Sequence, residues 1–110
     1  EINCADDWSA SECRLSTMSC TNSTQSSCNI NCIGDGSCDG ATINCNPSLS
    51  SNTNCNINCE GSHSCRGSIH DSFINCPPNT NCSIICNGLN SCESIRINCP
   101  SNSNCKIIGN

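Results

Sequence analysis

Sixteen cysteines in 110 residues are the side chains of this sequence most able to do chemistry. They are Cys4, Cys13, Cys20, Cys28, Cys32, Cys38, Cys45, Cys55, Cys59, Cys65, Cys76, Cys82, Cys86, Cys92, Cys99 and Cys105. A cysteine sulfur serves as a thiolate, for metal binding or attack, or it is consumed in a disulfide. Zinc and iron–sulfur sites draw on Cys-x-x-Cys pairs. The sequence has none, and no Cys-x-Cys of the metallothionein kind. An even count without such pairs points to complete disulfide pairing in an oxidising, extracellular or cell-surface compartment. No metal or other cofactor is expected.

The remaining chemical candidates read as structure. His70-Asp71 with Ser68 or Ser72 supplies the residue types of a hydrolase triad. Such a triad needs groups converging from separate elements, and neighbours on a strand point to opposite faces. These residues also sit in the longest insertion, Arg66 to Asn75, and read as a solvated loop. His63 reads as a turn residue without a partner. Asp6, Asp7, Asp35, Asp39 and Glu60 follow neither EF-hand nor Gly-Gly-x-Gly-x-Asp spacing and read as solvated turn carboxylates. No catalytic residue is assigned, and the chain reads as a non-enzyme. Asn22-Ser23-Thr24 and Asn81-Cys82-Ser83 are sequons, so Asn22 and Asn81 are candidate glycosylation sites. The serines of 23–27 and 48–51 are candidates for O-linked sugar.

Composition narrows the partners. The formal charge is −5, with only Arg14, Arg66, Arg96 and Lys106 basic. Nucleic acids and anionic membranes both demand clustered cations, so neither is expected as a partner, and no stretch is long and apolar enough for membrane insertion. No secretory leader is recognisable, so the sequence is expected to begin at a processed end or to be taken from a longer protein. Leu, Ile and Phe together number 17, and Val and Tyr are absent. A chain so poor in large apolar groups cannot offset its conformational entropy by burial alone. Cross-links, each worth ~2–4 kcal/mol, must replace much of the missing core. The surface polarity is mostly uncharged, from 19 Asn, 20 Ser and six Thr.

The elements that position the cysteines follow from an internal repeat. From Cys28 the chain runs Cys-Asn-Ile-Asn-Cys32, Ile-Gly-Asp-Gly-Ser-Cys38 and Thr-Ile-Asn-Cys45, then restarts at Cys55 and again at Cys82. Ile2-Asn3-Cys4, Cys13, Met18-Ser19-Cys20 and Cys28 form a degraded first copy. Four columns result: Cys4, Cys32, Cys59, Cys86; Cys13, Cys38, Cys65, Cys92; Cys20, Cys45, Cys76, Cys99; and Cys28, Cys55, Cys82, Cys105. Cys-x-Ile-x-Cys and Ile-Asn-Cys alternate with period two, as strands do. Cys28, Ile30 and Cys32 share one face, as do Cys55, Ile57 and Cys59, and Ile95, Ile97 and Cys99. Gly, Pro, Asn and Ser between them make turns. No segment has useful helical periodicity.

Short strands recurring in register describe an all-β, disulfide-rich parallel β-solenoid. A single domain, 1–110, is expected to have coils at about 1–28, 29–55, 56–82 and 83–110. Asn columns on the outside would hydrogen-bond along the stack. Two disulfide schemes are open. One joins the cysteines flanking each turn, Cys32 to Cys38 and Cys45 to Cys55; the other pairs them across the core. Trp8 would cap an open end or pack on a neighbouring molecule. Phe73 would face outward, as a register break or a sticky contact.

A fifth copy would need a cysteine at position 109, where the chain has Gly109, and neither end has a charged capping segment. Uncapped strand edges can pair with the next molecule, so head-to-tail stacking of this chain with itself is the expected partnership. The pattern Cys-x-Ile-x-Cys…Gly-x-x-Ser-Cys…Ile-Asn-Cys over residues 28–105 resembles the cysteine-laddered β-solenoid repeats of secreted surface proteins. It is also distantly similar to the small disulfide-bonded solenoid antifreeze proteins of insects. That resemblance implies ice binding through regular Thr-x-Thr rows, of which Thr53, Thr80 and Ser103 form one short column. The expected function is therefore an extracellular structural subunit of a filament or surface layer, with Asn22 and Asn81 open to glycosylation. The alternatives are an ice-binding solenoid and a small secreted ligand or inhibitor acting through the 66–75 loop.

Overall fold

A computed structural model describes residues 2–4, 13–19, 27–45, 53–67, 72–76, 78 and 80–109. Among them all regular structure is β. The strands are β1 (Ile2–Cys4), β2 (Thr17–Ser19), β3 (Ser27–Ile33), β4 (Thr42–Asn44), β5 (Thr53–Glu60), β6 (Phe73–Asn75), β7 (Thr80–Asn87), β8 (Arg96–Asn98) and β9 (Asn104–Gly109). The chain alternates between two sheets. Odd strands form a five-stranded sheet in the order β1-β3-β5-β7-β9, and even strands a four-stranded sheet in the order β2-β4-β6-β8. Every pairing is parallel.

The register stacks like on like. In the larger sheet Ile2, Ile30, Ile57, Ile84 and Ile107 are successive partners. In the smaller one Met18, Ile43, Ile74 and Ile97 are. The inner members Ile30, Ile43, Ile57, Ile74 and Ile84 are at most 1% exposed. Burying each contributes about 1.5–3 kcal/mol. A slip of one residue would put Asn inside and Ile outside, so period-two patterning holds the register. Met18 shows that the degraded first copy keeps the column by substituting one flexible apolar side chain for Ile.

Disulfides close the turns. Cys32–Cys38, Cys45–Cys55, Cys59–Cys65, Cys76–Cys82, Cys86–Cys92 and Cys99–Cys105 each join consecutive cysteines, with Cα–Cα distances of 5.9–6.5 Å. Cys13 and Cys28 are disulfide-bonded as well. Each bridge restrains a short loop, and the chain-entropy argument gives ~2–3 kcal/mol per bridge.

The Gly-x-x-Ser-Cys turns stack as closely as the strands. Ser37, Ser64 and Ser91 donate their N–H groups to Gly34, Gly61 and Gly88, closing each turn. Between layers, Gly34 N–H donates to the Glu60 carbonyl, Gly61 N–H to Asn87, Cys65 N–H to Ser37 and Cys92 N–H to Ser64. Gly61 and Gly88 have φ of +118° and +138°, and a Cβ on either would lie 2.5 Å from the carbonyl oxygen of the glycine one layer before. Only glycine fits there.

One local expectation needs correction and another is narrowed. Alternation places Ile95 on a strand with Ile97 and Cys99, but the strand is only Arg96–Asn98. Ile95 instead turns its N–H onto the Cys92 carbonyl, because the tight turn after Cys92 reaches that far. Phe73 lies on the outer face as alternation predicts, and without a register break: it stacks between Thr42 and Arg96, with the Arg96 guanidinium carbon 5.9 Å from its ring centroid. Such a contact is worth about 0.5–1 kcal/mol at an exposed site.

Gly61→Ala is expected to lower stability by ~2–4 kcal/mol, through backbone strain and a displaced turn. Chemical denaturation of the oxidised protein measures this, with Leu89→Ala, at a 71% exposed turn position, as the near-neutral control. An unchanged midpoint for Gly61→Ala would refute the stacked turn.

Candidate functional site

The cysteines offer no thiolate chemistry among the described residues. Three groups, Cys32 with Cys38 and Cys65, Cys45 with Cys55 and Cys82, and Cys76 with Cys82 and Cys105, have sulfurs within 4.8 Å of one another. Parallel stacking brings successive bridges this close, and every one of these sulfurs is in a disulfide. A bridged sulfur cannot supply the charged ligand that zinc requires. Fourteen bridged cysteines fit the oxidising, extracellular environment read from their number.

The main electrostatic feature lies one residue beyond the second cysteine column. Leu15 N–H donates to Asp39, Gly40 N–H to Arg66 and Gly67 N–H to Glu93, which stacks Arg14, Asp39, Arg66 and Glu93 in successive layers. The signs alternate along this column. Asp39, expected to be solvated, is only 2% exposed. Arg66 reaches it with Nη2 at 3.3 Å from Oδ2 and Nε at 3.5 Å from Oδ1, and Arg14 Nε lies 3.5 Å from Oδ2 on the other side. Two guanidinium groups thus compensate a carboxylate that burial would otherwise disfavour. The sequence signal is the residue following each of Cys13, Cys38, Cys65 and Cys92, and it shows only when the repeats are aligned.

A second polar column is silent in the sequence. Ser37 and Ser64 are fully buried. The Ser64 and Ser91 hydroxyls are 3.0 Å apart, and Ser91 Oγ donates to the Cys59 carbonyl. The serine of Gly-x-x-Ser-Cys therefore links turn to strand instead of facing water.

Of the hydrolase-like residues only Ser72 lies among those described. Ser72 is buried and its hydroxyl donates to the Ala41 carbonyl at 2.9 Å. Ser68, His70 and Asp71 lie outside the described residues, as do Trp8, Asp6, Asp7, Cys20, Asn22 and the serines of 48–51. His63, expected to lack a partner, has Nδ1 2.8 Å from Ser62 Oγ and Nε2 3.2 Å from Asn90 Nδ2. The ring thus bridges its own turn, through Ser62, and the next, through Asn90. Asp35 Oδ1 accepts the Ser62 N–H at 3.0 Å and so stitches two turns together.

Asparagine ladders line the outside. Asn56 donates to Asn29 at 2.9 Å, Asn75 to Asn44 at 2.7 Å, and Asn98 to Asn75. Asn81 donates to Asn54 at 3.2 Å and accepts from Asn104 at 3.1 Å. Asn81 Nδ2, the atom an N-linked sugar would occupy, is thus engaged within the ladder. Thr80 is aligned with Thr53 but is 3% exposed, with its hydroxyl 3.3 Å from the Pro78 carbonyl. It presents no hydroxyl to solvent.

The end of the stack at β8 and β9 is different in character. A cleft of about 420 Å³ opens there, lined by Cys86, Cys92, Ile95, Ile97, Ile107 and Gly109 among others. Ile107 and Ile108 on β9 are 59% and 43% exposed. The column buried at Ile30, Ile57 and Ile84 reaches solvent here at Ile107. Among the described residues no helix is long and apolar enough to cross a membrane.

Asp39→Asn keeps the shape of the side chain but removes the charge between Arg14 and Arg66. It is expected to cost ~2–4 kcal/mol, since breaking a buried charge cluster leaves the partners uncompensated. Denaturant midpoints report this, and Asp35→Asn, at an exposed turn, should change them far less; equal effects would contradict the buried column. No family model, curated protein or solved structure matches this chain.

Proposed function

We propose that this chain is a non-enzymatic extracellular structural protein, a parallel β-solenoid of about four coils that stacks head to tail with further copies of itself. In this reading the two parallel sheets are the walls of one coiled stack, and the disulfide-closed turns are its corners. Its partner is a second copy, and its setting a filament or surface layer.

One observation carries the reading: like residues recur in register in every layer, so that apolar columns, disulfide-closed turns and amide ladders all direct their contacts along the stack. Ile107 continues the column of Ile30, Ile57 and Ile84, and Ile97 continues that of Ile43 and Ile74. An edge strand with unpaired backbone groups and exposed Ile is a template for another strand. Ladders of amides hydrogen-bonded along the stack line part of the remaining surface, which suits a spacer.

Light scattering and negative-stain microscopy of non-reduced protein test this directly. Association should rise with concentration and yield filaments, and Ile107→Lys should suppress it, because a charge would enter the apolar joint. Protein that stays monomeric at millimolar concentration would overturn the proposal.

A further inference from the structure

Closed bridges carry no thiolate, but they are stacked so that an opened one faces its neighbours. The sulfurs of Cys45, Cys55 and Cys82 lie within 4.8 Å of one another, as do those of Cys76, Cys82 and Cys105. Cys82 belongs to both groups. It therefore connects the bridges Cys45–Cys55, Cys76–Cys82 and Cys99–Cys105 of three successive layers. At the other corner Cys65, bridged to Cys59, approaches Cys32 and Cys38 in the same way.

We infer that each corner is a thiol–disulfide relay, in which a thiolate formed in one layer moves to the next by exchange with the neighbouring bridge. The relay works within a single copy and does not depend on whether copies associate. Once Cys76–Cys82 is open, the Cys82 thiolate attacks the Cys55 sulfur. A Cys55–Cys82 bond forms, the Cys45–Cys55 bond breaks, and Cys45 leaves as the new thiolate. On its other side Cys82 attacks Cys105, forming Cys82–Cys105 and expelling Cys99. Each step consumes one thiolate and one disulfide and returns one of each, so nothing is oxidised or reduced overall.

Distance, product geometry and access all favour this path. A disulfide bond is about 2.05 Å long, so the attacking sulfur has less than about 3 Å to travel, a distance that side-chain rotation covers. The product also fits. Cys55 and Cys82 are register partners in the larger sheet, and so are Cys82 and Cys105. Paired strands lie about 4.8 Å apart, and a disulfide accepts Cα separations of roughly 4.4–6.8 Å. An inter-layer bridge therefore needs no movement of the backbone. At the turn corner, the Cys65 N–H donates to the Ser37 carbonyl and holds Cys65 one layer from Cys38.

Access decides which thiol reacts. Cys32, Cys38, Cys45, Cys55, Cys65 and Cys82 are at most 2% exposed. A dissolved thiol cannot match a sulfur already held beside its target, so exchange runs inside the molecule. The use of such a relay follows from the repeat. Every layer presents the same cysteines, so a folding chain meets many wrong partners of equal chemistry. A relay lets a mispaired corner correct itself within the stack, without unfolding.

Partial reduction of the native full chain tests the relay. A water-soluble phosphine at about pH 3 opens bridges, taking oxygen from water as each pair of thiols forms, while protonated thiols leave exchange halted. The phosphine is removed, oxygen is excluded, and the pH is raised to about 6 or about 7. Samples are then quenched in acid, alkylated and mapped by mass spectrometry. Inter-layer pairs within a corner are expected, led by Cys55–Cys82 and Cys82–Cys105, forming about tenfold faster for each pH unit. Thiols that persist beside unchanged native pairs would overturn the relay. Pairs between the two corners would overturn it too, because they require unfolding, and so would a rate that rises with protein concentration. Cys76→Ser starts with an unpaired Cys82 and needs no reductant. Its thiol should be found on Cys45, Cys55 or Cys99 as well as on Cys82, and a thiol confined to Cys82 would count against the relay.

Discussion

Seventeen Leu, Ile and Phe side chains have to hold this chain in shape, and that scarcity governs everything else in the structure. The chain meets it by repetition. One Ile per strand, placed on the same Ile a layer away, builds a continuous apolar column from few residues. A column is efficient because each member is covered above and below by its own kind, and packing is equivalent at every inner layer. Repetition alone is not enough, because the turns between short strands are long relative to the strands. Disulfides at those turns remove freedom from the unfolded chain where burial has least to offer. Glycines at the tightest point then let successive turns approach to carbonyl contact.

Polar groups obey the same constraint. Buried Ser37 and Ser64, the Asp39 carboxylate between Arg14 and Arg66, and the outer Asn ladders all direct their bonding along the stack. Hydrogen bonds and charges are therefore satisfied by neighbouring layers. In the proposed reading this links fold to function. A structure whose cohesion runs in one direction has chemically distinct ends, and the β8–β9 end combines unsatisfied Ile columns with an acidic turn. Association at that end, as proposed, would extend the forces that hold the interior together and require no separate recognition device.

Much of this architecture is legible in the amino-acid sequence, for a physical reason. Cysteine and isoleucine repeat as identical residues, so the Cys columns and the strands of Cys-Asn-Ile-Asn-Cys announce themselves. Period-two alternation then decides which face is buried. The burial of Asp39 is not legible, because its column holds Arg, Asp, Arg and Glu. Its logic is alternation of sign, which is invisible when like is sought under like. The serine before Cys65 has the composition of a turn residue, and only burial reveals it as an internal hydrogen-bonding group. His63 and Asp35 look solvated in the sequence for a related reason: their partners, Asn90 and Ser62, come from the next layer of turns. Five strands against four in the two sheets likewise emerges only once strand pairing is known.

Disulfides and stacked columns cooperate to hold the fold, and hydrogen exchange of the oxidised and the reduced protein measures that cooperation most directly. In dilute oxidised protein, amides of β5 and β7 should exchange slowest, because strands pair on both sides of them, and β9 should exchange faster. Reduction should abolish protection in β5 and β7 together. Protection that survives reduction would mean the Ile columns suffice alone and would contradict the central role given to the cross-links.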